Sequence, residues 1–100
     1  MPSKIKATIL IVDDAPENID VLTAVLRDDY KVKAALNGET AIQIANGKKK
    51  PDLILLDVLM PGIDGYEVCK QLKANVETAN IPVIFVTAKS EIKDEEYGFS

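Results

Sequence analysis

Three short apolar runs, each followed by a polar residue able to do chemistry, constrain this chain more than any other feature. The runs are Ile9-Leu10-Ile11-Val12, Leu53-Ile54-Leu55-Leu56 and Val83-Ile84-Phe85-Val86. Each is too short for a helix and lacks the in–out alternation of a strand with one wet face. Continuous aliphatic runs of this length suit strands covered on both sides, as in a parallel sheet. A fourth segment, 30–35, alternates Lys31, Val32, Lys33 and Ala34 and reads as a strand near an edge of that sheet.

Helical patterns separate the runs. Over 17–28, Ile19, Leu22, Val25 and Leu26 recur at helical spacing, with Pro16 suited to the first turn. Over 39–46, Ala41, Ile42 and Ala45 make one face, Asn37 can cap the start and Gly47 suits the stop. Over 65–74, Val68 and Leu72, with Cys69 beside them, face inward; Asp64 and Glu67 form an aspartate version of the capping box. The order is β-α-β-α-β-α-β, followed by an acidic segment, 91–97, that begins a further helix. Such alternation predicts an α/β fold: a parallel sheet with helices on its faces, joined by right-handed crossovers. One hundred residues leave room for a single domain, taken as 1–100.

Composition narrows the function classes. Apolar residues make up 47% and charged ones 28%, which excludes a disordered chain. No apolar stretch approaches the ~20 residues that cross a bilayer. The start, Met1-Pro2-Ser3-Lys4-Ile5-Lys6, runs into a strand with no secretory leader, so no membrane partner is expected. The single cysteine, Cys69, cannot form an internal disulfide; that fits a cytoplasmic setting, with Cys69 read as a small helix residue without a role. Twelve basic and sixteen acidic side chains give a net charge of −4. The only basic cluster, Lys48-Lys49-Lys50, lies between Gly47 and Pro51 and reads as a solvated turn, so nucleic-acid binding is not expected. Histidine is absent, which excludes Ser–His and Cys–His catalysis within the chain.

In open α/β sheets the working site lies at the carboxyl ends of the strands. Asp13-Asp14 follow the first run, Asp57 the second and Thr87 the third. If those strands are neighbours, three carboxylates and a hydroxyl share one edge. Each residue has a plain structural explanation: the acidic pair can cap the next helix, and Asp57 and Thr87 can be ordinary strand-end residues. All of them landing at carboxyl strand ends is harder to attribute to capping. Crowded carboxylates repel, and a cation offsets the repulsion. An all-oxygen set suits Mg²⁺ rather than zinc, which prefers thiolate and imidazole. A metal held there also binds phosphate, leaving one carboxylate to attack phosphorus and form an aspartyl phosphate. Asp57, alone at the end of the most apolar strand, is the candidate nucleophile, and Thr87 a hydrogen-bond donor to a phosphoryl oxygen. Met60-Pro61-Gly62 and Asp64-Gly65 predict a tight loop after Asp57, where a backbone carbonyl can join the metal shell.

At these residues the sequence resembles the receiver domain of two-component response regulators. The matching segments are Ile9-Leu10-Ile11-Val12-Asp13-Asp14, Leu53-Ile54-Leu55-Leu56-Asp57-Val58-Leu59-Met60-Pro61-Gly62-Ile63-Asp64-Gly65 and Ile81-Pro82-Val83-Ile84-Phe85-Val86-Thr87-Ala88. The resemblance covers essentially the whole chain. It implies a flavodoxin-like parallel sheet of strand order 2-1-3-4-5, which makes the first, third and fourth strands neighbours. It also implies that Asp57 accepts a phosphoryl group from a phosphohistidine on a sensor histidine kinase or phosphotransfer protein. By the same resemblance Asp14, Asp57 and the backbone carbonyl of Leu59 bind Mg²⁺, Asp13 acts directly or through water, and Thr87 is the switch hydroxyl. An output domain is a further implied partner.

The family carries a fifth strand, ending in a lysine that pairs with the phosphoryl group, and a fifth helix. The sequence stops at Ser100, before both. Lys89 is the nearest lysine to Thr87, and an exposed loop cation is its better reading. The expected consequence is an open edge along 83–86, and self-association or low stability of this 100-residue form. Three other readings stand beside the receiver. One is an interaction module that keeps the fold without phosphate signalling. Another is a Mg²⁺-dependent phosphatase with an aspartate nucleophile, which is disfavoured because Leu59 stands where that class carries a second aspartate. The third, a flavin-binding relative, is disfavoured by acidic residues where phosphate would sit.

Overall fold

A computed structural model of the chain describes residues 6–60 and 62–86. In order these form β1 (Thr8–Val12), α1 (Pro16–Leu26), β2 (Lys31–Ala35), α2 (Gly38–Ala45), β3 (Leu53–Leu56), α3 (Gly65–Ala74) and β4 (Val83–Phe85). The strands make one sheet in the order β2-β1-β3-β4, every neighbouring pair parallel. No helix among the described residues is long and apolar enough to cross a membrane.

The apolar runs lack alternation because both faces of the sheet are covered. Leu10, Val12, Ile54 and Leu56 point to one face and meet Ala41 and Ala45 of α2 and Val68 and Leu72 of α3. Ile9 and Ile11 point to the other and meet Ile19, Leu22 and Leu26 of α1. All of Ile9, Leu10, Ile11 and Val12 are buried, as a central strand requires. β2 is an edge, as its pattern implies, and Lys33 Nζ donates to the Lys49 carbonyl at 3.2 Å. Two charged side chains along that strand discourage pairing with another chain.

Two details of α1 differ from expectation. Val25 is 69% exposed rather than inward-facing: six residues after Ile19, at about 100° per residue, the helix has turned that position away from the sheet. The helix also stops at Leu26 rather than running to 28, since the N–H groups of Asp29 and Tyr30 both donate to the Leu26 carbonyl and turn the chain into β2. Acidic residues at a helix carboxyl end oppose its dipole, which favours an early stop.

The caps form as expected. Asn37 Oδ1 accepts from the Thr40 N–H at 2.8 Å, and Asp64 Oδ1 accepts from the Glu67 N–H at 2.9 Å. Only the Asp64 half of the capping box is made, because the Glu67 carboxylate accepts from Gln71 Nε2 at 3.0 Å. β4 ends the sheet among the described residues, with Ile84 49% and Phe85 41% exposed.

Candidate functional site

Hydrogen bonds at the strand ends assemble the site. The Asp13 N–H donates to the Ala35 carbonyl of β2 at 3.1 Å, and the Asp57 N–H donates to the Val12 carbonyl of β1 at 2.9 Å. Because β1 lies against β3, the acidic pair and the lone aspartate emerge side by side. Asp13, Asp14 and Asp57 each offer a carboxylate oxygen, and these oxygens all lie within 4.8 Å of one another. Asp13 and Asp57 are buried at 7% and 8% exposure, while Asp14 is exposed.

Asp13 does not serve as a helix cap. The N-cap of α1 is Ala15, which makes no side-chain cap bond. Instead Asp13 Oδ1 accepts from the Ala15 N–H at 2.9 Å and Oδ2 accepts from Asn18 Nδ2 at 3.1 Å. Asn18 was not legible as a site residue; its signal is a short amide side chain inside the first turn of a helix, where such residues are used for local hydrogen bonding.

Asp57 opens the loop that leads to α3. Its Oδ1 accepts from the Leu59 N–H at 3.3 Å, which places the Leu59 backbone beside the carboxylate. Gly62 turns with φ of +77°, a conformation that glycine adopts without steric cost. The Gly65 N–H then donates to the Val58 carbonyl at 3.0 Å, closing the loop on itself. Gly65 lies so close to the chain just after β3 that a Cβ there would collide with the Asp57 carbonyl oxygen and stand 2.8 Å from Val58 Cα. Tyr66 packs against Phe85 with ring centroids 5.1 Å apart, tying the start of α3 to β4.

Of the expected site residues, the structure brings the Asp13, Asp14 and Asp57 carboxylates together, and at Leu59 it sets the N–H against Asp57. Thr87 and Lys89 lie outside the described residues, as do 91–97. The last residue described before Thr87, Val86, donates its N–H to the Leu56 carbonyl at 2.9 Å. Chemically, the site is a partly buried set of carboxylate oxygens with no sulfur or imidazole ligand in the cluster. That donor set fits a hard divalent cation.

The family model described as the response regulator receiver domain matches residues 9–99. The response regulator PleD of Caulobacter vibrioides is 47% identical over 83 residues, covering 82% of this chain but 18% of PleD. Protein PilH of Pseudomonas aeruginosa is 42% identical over 93 residues, covering 92% of this chain and 76% of PilH. Among solved structures, the receiver domain of the sensor histidine kinase PA1611 from Pseudomonas aeruginosa superposes with a TM-score of 0.79 at 32% identity, covering 92% of this chain and 75% of that one. That structure has a magnesium ion coordinated in its active-site cleft.

Proposed function

The chain belongs to the response regulator receiver domain family, and from that premise we propose that it accepts a phosphoryl group on Asp57 from a phosphohistidine of a partner kinase or phosphotransfer protein. Its parallel sheet and flanking helices have the flavodoxin-like receiver fold. Receiver domains are signalling modules, and their partners are histidine kinases and output domains. The observation that carries the proposal is the convergence of Asp13, Asp14 and Asp57 within 4.8 Å at the carboxyl end of the sheet.

In the proposed reaction a carboxylate oxygen of Asp57 attacks phosphorus. The new O–P bond forms as the N–P bond breaks, and the bond's electron pair stays on the donor imidazole. The donor histidine lies outside these 100 residues, which contain none. Asp13, Asp14 and Asp57, with the Leu59 carbonyl, would hold Mg²⁺. When bound, the ion supplies charge that offsets the three carboxylates and the incoming phosphoryl oxygens. The chain's own contribution is position: the β1–β3 contact fixes Asp57, and the Leu59 N–H orients its carboxylate. Thr87 is proposed as the switch hydroxyl, on the strength of its place after the fourth strand's apolar run.

Incubation with acetyl phosphate and Mg²⁺, read by intact mass, tests this reading. A single added phosphoryl group that is absent in Asp57→Asn and lost slowly supports a receiver. Rapid multiple turnover would instead indicate a phosphatase, and no label in any condition an interaction module.

A further inference from the structure

We infer that Asn18 is a positioning residue for the cation site, holding the Asp13 carboxylate in one orientation and so tuning the site toward a small divalent ion. The inference rests on the reading above that Asp13, Asp14 and Asp57 hold Mg²⁺. Asn18 is the third residue of α1, and its amide turns back across the first helical turn to Asp13. An ionised carboxylate only accepts, so the amide group facing it is the N–H. With Ala15 N–H on Oδ1 at 2.9 Å and Asn18 Nδ2 on Oδ2 at 3.1 Å, both ends of the carboxylate are held. Rotation about the Asp13 side chain would break one bond or both. At 7% exposure, little water is at hand to replace them.

Two donors occupy one acceptor site on each oxygen and leave the remaining sites of Asp13 for a ligand. Such restraint matters more to one ion than another. Mg²⁺ demands near-octahedral geometry at short distances, whereas Ca²⁺ tolerates varied ligand placement. Partners that orient a metal ligand from behind typically change affinity 10–100-fold. Helix formation does not call on the Asn18 side chain: Pro16 occupies the first turn, and the N–H groups of Asn18 and Ile19 both reach the Ala15 carbonyl, at 3.0 and 3.4 Å. The helix therefore starts without the Asn18 side chain, which is left to act on Asp13.

Calorimetric titration of Mg²⁺ and of Ca²⁺ into the full chain, the Asn18→Ala variant and the Asn18→Gln variant tests the inference. Asn18→Ala is expected to weaken Mg²⁺ about tenfold and to weaken Ca²⁺ clearly less, with a lowered metal-free melting temperature because a buried carboxylate loses a donor. Asn18→Gln, which restores an amide donor, is expected to recover part of the Mg²⁺ affinity. Equal Mg²⁺ affinity in the unaltered chain and Asn18→Ala overturns the inference. So does an equal loss of affinity for both ions, which marks a merely structural residue. An unaltered chain that takes up neither ion overturns the cation-site reading itself, and does so before any variant is measured.

Discussion

The backbone N–H of Asp57 donates to the carbonyl of Val12 at 2.9 Å, one step past the Val12–Leu56 pairing that ends the β1–β3 register. That bond sets Asp57 beside Asp13 without help from any side chain. The adjacency of the two backbones is thus a product of strand order, while the carboxylates are oriented by the Ala15, Asn18 and Leu59 donors.

Three carboxylates held this close should destabilise the metal-free protein. Asp57→Asn removes one charge while keeping the shape, and is expected to raise the metal-free stability by at least about 1 kcal/mol, since two like charges about 4 Å apart repel by about 4 kcal/mol at an effective dielectric of about 20. Thermal melts in chelator check this. An unchanged or lowered melting temperature would show that the three groups do not repel as their spacing requires.

Mg²⁺ should have the opposite effect on the unaltered chain. An ion that binds only the folded form adds about 2.7 kcal/mol at a hundred times its dissociation constant. In a domain of this size that is a rise of roughly 10 °C or more in melting temperature. Asp14→Asn should reduce the rise, and a melt that ignores Mg²⁺ would remove the basis for assigning a cation to these residues.

Gly65→Ala is expected to lower stability by about 1–3 kcal/mol, the usual range for forcing an extra carbon into a packed position. The new methyl group would collide with the Asp57 carbonyl oxygen and lie 2.8 Å from Val58 Cα, both of them backbone atoms that cannot swing aside. Urea unfolding with an unchanged slope measures the loss. Since the displaced backbone belongs to Asp57 itself, phosphoryl uptake from acetyl phosphate should fall as well.

Much of the fold was legible in the sequence because β1 and β3 are covered on both faces, so their burial is written as unbroken apolar runs. The caps at Asn37 and Asp64 were legible for a similar reason, each being a local bond between residues three apart. The adjacency of Asp13 and Asp57 was not, since it depends on β3 passing over to pair with β1. No local pattern encodes that pairing, and only the family resemblance supplied it. Val25 was misread because an apolar residue near a helical stripe looks inward until the turn angle is followed. Asn18 escaped notice because its partner is a side chain rather than a backbone group, so no capping rule points to it.

The bond from the Gly65 N–H to the Val58 carbonyl joins the two ends of the segment after Asp57 as a clasp joins a bracelet. Inside the clasp Met60 is buried, Gly62 holds its positive φ and Asp64 caps the helix beyond, so the segment is pinned to core and helix alike. The Leu59 side chain, 40% exposed, is the point at which the rim of the cleft can change shape while the frame that aims Asp57 stays as it is.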